Sequence, residues 1–497
     1  MNIIVITVDT LRYDYIGANN NGVINTPNID DFASESILFD NHFASSYPTI
    51  PHRTDVITGE YGSPFNSWSP LRFDVETLPE IFARSGYSTQ LIHDTPHLVN
   101  GGHNFDWPFH AWTFIRGAEV DRPWVEPLSD FPNNWKLDPT FDFVDQDLVD
   151  SGFQRVIPTY ARANMRRERH EDWNTAKLFS AASKWVHRNS QKRDFFLWVD
   201  CFDPHEPWDI PPKFAKMYVD NESYDGRVDP RAFAVSKVED IPEEAVERIR
   251  SLYAGKVSWM DKWFGVLWDA IKENDLRENT AILLTSDHGT RLAEERMFGK
   301  GSDPEKEQEI HTPLMLYVPG YGNQRIDMIA QPQDIFTTLA NLADINVPDK
   351  RSSHDLLENL EKRTHPRKLA LSGSSVSEEW AKEGKTLFVL YKDNWYLEFT
   401  AKPENCSLRR EGSLEDVSNS YKNVVKSLHS EGIDELERRG ADPAIIRWLK
   451  NHGESEFPTD SKFWEGFPDP KGYDRYFYRS YNEPEPILEF LTEKLEY

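Results

Sequence analysis

The strongest constraint on the fold of this chain is a set of short, uninterrupted apolar runs that each stop at a polar or charged residue. Ile3-Ile4-Val5-Ile6-Thr7-Val8 ends at Asp9. Phe195-Phe196-Leu197-Trp198-Val199 ends at Asp200, and Ala281-Ile282-Leu283-Leu284-Thr285-Ser286 ends at Asp287 and His288. Runs of this length, without alternation and rich in β-branched or aromatic residues, read as strands buried on both faces. Ile37 to Phe39, Ser88 to His93 and Pro313 to Val318 are shorter strand candidates. Helical patterns fall between them at Pro27 to Ser36, Thr77 to Ser85, Asn174 to Arg188 and, longest, Pro242 to Glu273. Strands alternating with helices predict an α/β fold with a mostly parallel, doubly wound sheet flanked by helices.

The texture changes after about residue 366. Thr386 to Tyr391 and Trp395 to Thr400 flank Lys392-Asp393-Asn394, a hairpin signal. Ile433 to His452 then reads helical, and a polar, aromatic tail ends at Tyr497. The expected organisation is a large domain over 1–365, interrupted by a loop-rich, Trp-rich insertion at about 101–173. A smaller C-terminal α+β subdomain and tail follow over 366–497.

Open parallel sheets bind ligands beyond the carboxyl ends of their strands. Asp9, Asp287 and His288 stand at such ends, and two carboxylates with an imidazole form a reasonable divalent-metal shell. Gly289 suits a tight turn after them. Thr49-Ile50-Pro51-His52-Arg53 places a proline suited to the first turn of a helix. Thr49 is then expected just ahead of that helix, near its backbone N–H groups and positive dipole end, where a tetrahedral anion is stabilised. A threonine hydroxyl is a weak nucleophile that metal coordination would activate; read locally, Thr49 is equally an N-cap.

Composition narrows the partners. Acidic residues number 83 against 56 basic ones, a net charge of -27, which argues against a general nucleic-acid-binding surface. The acidity is spread along the chain, and adaptation to a salty cytoplasm is the favoured cause. Cys201 and Cys406 lie far apart with no metal-ligand spacing, which favours a reducing compartment. Val257 to Ile271 is broken by Asp261, Lys262 and Asp269 and is too short and charged to span a bilayer. No secretory signal is visible at Met1-Asn2, so a soluble, cytoplasmic protein is expected.

Taken in order, these segments resemble the sulfatase family of the alkaline-phosphatase superfamily. Ile6 to Arg12 with Thr26-Pro27-Asn28-Ile29-Asp30 is similar to the family's opening. Thr49 through Gly59 resembles its signature, Cys or Ser, any residue, Pro, Ser and Arg before a helix ending Thr-Gly. Phe202-Asp203-Pro204-His205-Glu206-Pro207, Thr285 to Gly289, Gly299-Lys300-Gly301, His311-Thr312-Pro313-Leu314 and Asp334 to Leu339, ending near Pro348, resemble later segments. The resemblance implies an alkaline-phosphatase-like fold and a metal-dependent hydrolase of phosphate or sulfate esters. By the same resemblance Asp9, Asp287 and His288 would bind metal with Thr49, and Arg53 would orient the nucleophile. Lys300 would hold a non-bridging oxygen, and His205 would protonate the leaving oxygen or bind its charge.

Departures from the pattern shape the expectation. Thr49 replaces the Cys or Ser that becomes formylglycine in sulfatases, which favours a phosphoester or phosphonate over a sulfate ester. Thr10 stands where a further metal-binding Asp is usual. His93-Asp94-Thr95-Pro96-His97 replaces the usual Gly-Lys-Trp-His segment. His311 replaces an Arg, so Asp203, His205 and His311 are a candidate second metal shell. One or two ions are therefore expected; imidazole-rich ligands suit Zn²⁺ or Mn²⁺ and oxygen-rich ones Ca²⁺ or Mg²⁺. The alternatives are a phosphate mutase or transferase of the same superfamily and a catalytically inactive binding protein. The partner expected is a small-molecule ester, with no membrane; oligomeric state is unreadable.

Overall fold

The apolar runs are the middle of one eight-stranded sheet in a computed structural model. It describes residues 1–458 other than 21, 63–67, 101, 120, 122, 124–159, 161–162, 165–166, 192–193, 219–235, 238–242, 301–304, 348–351 and 375–380. Across the sheet the strands are Gln324–Ala330, Ile37–His42, Leu314–Tyr317, Thr280–Ser286, Asn2–Val8, Phe195–Cys201, Ser88–His93 and Ala111–Phe114. Every pairing is parallel except those of Leu314–Tyr317, which runs against both of its neighbours. Asn2–Val8 lies between Thr280–Ser286 and Phe195–Cys201, and every residue of these three strands is buried.

Burial on both faces explains why these strands carry no alternation. Ile4, Ile6, Val8, Leu197 and Val199 face a core shared with Phe179 of the Asn174–Asn189 helix and Val257 and Phe264 of the Glu243–Glu273 helix. Ile3, Val5, Phe196 and Trp198 face the opposite core. There they meet Ile50 and Val56 of the Thr49–Thr58 helix, Phe82 of Leu78–Arg84 and Phe336 of Asp334–Leu342. The Val257 to Ile271 segment is thus the inner stretch of a core helix, and among the described residues no helix is long and apolar enough to cross a membrane.

The C-terminal region forms its own antiparallel sheet of Ala370–Ser372, Phe388–Lys392, Trp395–Phe399 and Ser407–Arg410. The hairpin turns through Asp393 and Asn394, both at positive φ (51° and 63°), the backbone of a tight primed turn. The single helix expected from Ile433 to His452 is two, Lys422–Arg438 and Pro443–Lys450, which break around Gly440 at φ 86°. The tail after residue 458 and the insertion's 124–159 lie outside the described residues, as do Pro348 and Gly301. Two strands of the eight-stranded sheet went unpredicted, Ala111–Phe114 inside the insertion and Gln324–Ala330, and they are its two edges; Ala370–Ser372 and Ser407–Arg410 of the C-terminal sheet were likewise not expected.

Candidate active site

Three neighbouring strands deliver carboxylates to one point. Asp9, Asp200 and Asp287 sit at the carboxyl ends of Asn2–Val8, Phe195–Cys201 and Thr280–Ser286, and each is at most 1% exposed. Arg53, itself 1% exposed, enters from the Thr49–Thr58 helix and meets all three. Its Nε and Nη2 donate to Asp200 at 2.7 and 2.9 Å, and its Nη1 donates to Asp287 Oδ2 at 2.6 Å. Nη2 also lies 3.2 Å from Asp9 Oδ2. The planar guanidinium suits such a fork, where an ammonium could not satisfy three acceptors in one plane. Sequence reading left Asp200 outside the site, although it ends an apolar run just as Asp9 does.

Thr49 is the first residue of its helix, not the residue ahead of it, and Pro48 takes the cap position. Its carbonyl accepts from Arg53 Nη1 at 3.1 Å, so the helix head and Asp287 share one donor. The helix ends at Gly59, whose φ of 70° gives the left-handed cap behind Thr58. Gly289 is required for another reason than the expected turn. A Cβ there would lie 2.0 Å from the Gln308 carbonyl oxygen, so only glycine admits that backbone approach.

Asp9, Asp287 and His288 bring one ligand atom each within 4.8 Å of one another, all buried. The His288 Nδ1 lies 2.8 Å from the Gly289 carbonyl oxygen, which only accepts, so Nδ1 carries the ring hydrogen. Nε2 is left with a lone pair and, though buried, has no hydrogen-bond partner. It lies 3.6 Å from Asp287 Oδ2 and 3.9 Å from Asp9 Oδ1. Burial and the neighbouring Asp287 push Asp9 well above the usual carboxylate range. Burial also opposes the Asp287 charge, but His288 and Arg53 hold it well below that range. Burial lowers His288 to about 4, which keeps the ring neutral. When all three carboxylates are ionised they outnumber the guanidinium by two negative charges, and burial with this repulsion raises Asp9 while no cation is bound. A neutral imidazole aimed at two carboxylates, with that excess, fits a divalent cation.

The Thr10 position keeps a polar role without a carboxylate. Thr10 adopts φ 63°, its hydroxyl donates to Asp9 at 2.8 Å and accepts from Lys300 Nζ at 2.8 Å. Lys300 also pairs with Glu206 at 3.1 Å, a residue that sequence reading quoted but gave no role. His205 stacks on Phe202 with centroids 4.1 Å apart, and its Nδ1 lies 2.7 Å from the Glu206 carbonyl oxygen. Burial and Lys300 hold His205 well below its usual range, so in this site it is neutral, with the lone pair on Nε2.

The expected second shell of Asp203, His205 and His311 does not assemble. Asp203 is engaged by Lys256 at 2.7 Å and by the Thr175 hydroxyl. His311 donates to the Asp40 carbonyl at 2.7 Å, stacks on Tyr13 at 4.0 Å and is grouped with Glu307 and Glu411. His205 is grouped instead with His97 and Glu119. Asp94, where the usual Lys is missing, is buried and accepts from the Phe202 amide at 2.7 Å.

The sheet order and the acidic, imidazole-bearing edge define an α/β protein with a candidate metal site beyond its strand ends. A family model described as sulfatase matches residues 1–345, and the chain belongs to the sulfatase family. It is 25% identical over 471 residues to an arylsulfatase of Clostridium perfringens, covering 88% of this chain and 95% of that protein. It is 27% identical over 411 residues to human iduronate 2-sulfatase, covering 70% of each. The fold is shared with the phosphonate monoester hydrolase SpPMH of Silicibacter pomeroyi, at TM-score 0.67, 19% identity and coverage of 88% and 95%. The phosphonate monoester hydrolase of Agrobacterium radiobacter gives 0.65 and 19%, with coverage of 88% and 96%.

Proposed function

We propose that this hydrolase cleaves phosphoesters or phosphonate monoesters in preference to sulfate esters, through a covalent intermediate on Thr49. The observation that carries the reading is a threonine at the head of the helix whose Arg53 is locked into the Asp9–Asp200–Asp287 frame. The Cβ of threonine bears a methyl group, so its oxidation gives a ketone and not the aldehyde that formylglycine chemistry requires. An alkoxide attacking phosphorus needs no such conversion.

The chain's own residues divide the work. Asp9, Asp287 and His288, with Thr49, would hold the divalent cation. That cation supplies positive charge that lowers the pKa of the Thr49 hydroxyl and offsets charge on the transferred group. Arg53 fixes the helix head against the sheet. The Thr49 oxygen attacks in line, its bond to phosphorus forms, and the bond to the leaving oxygen breaks with the electron pair departing on that oxygen. The hydroxyl proton is lost to solvent and the leaving oxygen gains one. Water then attacks the same phosphorus, the bond to Thr49 breaks, and the threonine regains its proton. Lys300, beside Thr10 and Glu206, would bind a non-bridging oxygen. His205, neutral at rest, offers a lone pair and no proton to the leaving-group side.

Turnover of aryl phosphate monoester, diester, phosphonate and sulfate substrates with added Mn²⁺, Zn²⁺ or Ca²⁺ tests this. A phosphorus ester should be the best substrate. Thr49→Val should lose on the order of 10⁴-fold or more in kcat while melting as the parent does. A sulfate ester as best substrate overturns the preference, and full activity of Thr49→Val overturns the nucleophile.

A further inference from the structure

We propose that His97, Glu119 and His205 hold a second divalent cation, separate from the one at Asp9, Asp287 and His288. These three residues come from distant parts of the chain and present ligand atoms within 4.8 Å of one another. His97 Nε2 and Glu119 Oε2 are already 3.1 Å apart, with side chains 20% and 12% exposed. The His205 hydrogen is held on Nδ1 by the Glu206 carbonyl, which leaves the Nε2 lone pair for a ligand. The Glu206 carboxylate stands 3.1 Å behind that same Nδ1. A carboxylate or carbonyl behind a ligating imidazole is the arrangement that fixes its tautomer and raises its basicity.

The rings are held rather than free. Phe202 stacks on His205 and meets the edge of His97 at 5.8 Å, and Trp68 meets His97 from another side at 5.3 Å. Glu119 is a non-glycine residue at φ 22°. Its turn is tied down by Asp121, which accepts from the Gly117 amide at 2.7 Å and the Arg116 guanidinium at 2.7 Å. A left-handed backbone maintained this firmly at a polar cluster points to a positioned carboxylate. Two imidazoles and one carboxylate leave an open coordination position, and the donor set suits Zn²⁺ or Mn²⁺ over Ca²⁺ or Mg²⁺. Under the hydrolase reading, on which only this assignment of role rests, the open position takes the leaving oxygen, whose charge neutral His205 has no proton to meet.

Metal bound per folded chain, measured after dialysis of the full protein against Zn²⁺ or Mn²⁺, decides the proposal. The parent should hold two equivalents. His97→Ala and Glu119→Gln should each hold one, and Asp287→Asn should keep the other. Glu119→Gln changes one atom of a partly exposed side chain, so its metal count stays readable should His97→Ala fail to fold. One equivalent in the parent, or two retained in Glu119→Gln, overturns the second site. Two equivalents with the expected losses but no ester turnover uphold the site and overturn the hydrolytic reading instead.

Discussion

Arg53 shows how a single buried residue can organise a site. Removing one partner of a buried ionic cluster costs more than the cluster contributes, because the remaining charges stay desolvated. Arg53→Ala should therefore destabilise the protein by roughly 3–5 kcal/mol, read by urea denaturation. Arg53→Lys keeps the charge but loses the fork, and activity should fall further than stability does. The carboxylates that outnumber it make a second prediction. Divalent cation should raise Tm, and a chelator should lower it, because ligand binds only the folded site. Protons compete with the cation for Asp9, which burial and Asp287 push upward. The Tm difference with and without chelator should thus shrink as pH falls, and Asp287→Asn should reduce it to what the ion at His97, Glu119 and His205 contributes.

At the scale of elements, strand ends carry buried imidazoles as well as carboxylates. His42 ends the Ile37–His42 strand, bonds Thr312 through Nδ1 at 2.9 Å and leaves Nε2 buried without a partner. Burial lowers its pKa from 6.5 to about 3. The unfolded chain binds this proton more readily, so the stability is present in full above pH 6.5 and is lost as pH falls through the window down to about 3. The loss approaches about 1.4 kcal/mol per pH unit, and His42→Leu should flatten the dependence of stability on pH between 7 and about 5. Interior strands were legible in the sequence because burial on both faces demands unbroken apolar runs. The two edge strands were not. Gln324–Ala330 interleaves Arg325 and Asp327 with apolar residues, and Ala111–Phe114 leaves Trp112 47% exposed. The Asp9, Asp287 and His288 grouping followed from strand ends. The grouping of His205 with His97 and Glu119 depended on a loop path that no local pattern encodes, so His205 was matched to Asp203 and His311 instead.

For the whole molecule, charge and domain docking set the remaining behaviour. A net charge of -27 imposes self-repulsion on the folded state. Monovalent salt should therefore stabilise the protein, with Tm rising from low to molar KCl, and a flat or falling Tm would show that the acidity is locally neutralised. The C-terminal sheet is joined to the catalytic body by the Ser46–Gly373 bridge, and Arg439 lies 3.4 Å over the Tyr61 ring. The Ser46 bridge lies three residues before Thr49, so the smaller sheet buttresses the chain that leads into the Thr49–Thr58 helix. The Arg53 frame has one more consequence. Its three carboxylates belong to three adjacent strands, with Val8 in register with both Cys201 and Ser286. A slip of one residue in any of them would turn its carboxylate to the opposite face. Arg53 would then lack a counter-ion. Catalytic competence and folding fidelity are in this way the same condition, and a misregistered copy is inert from the start.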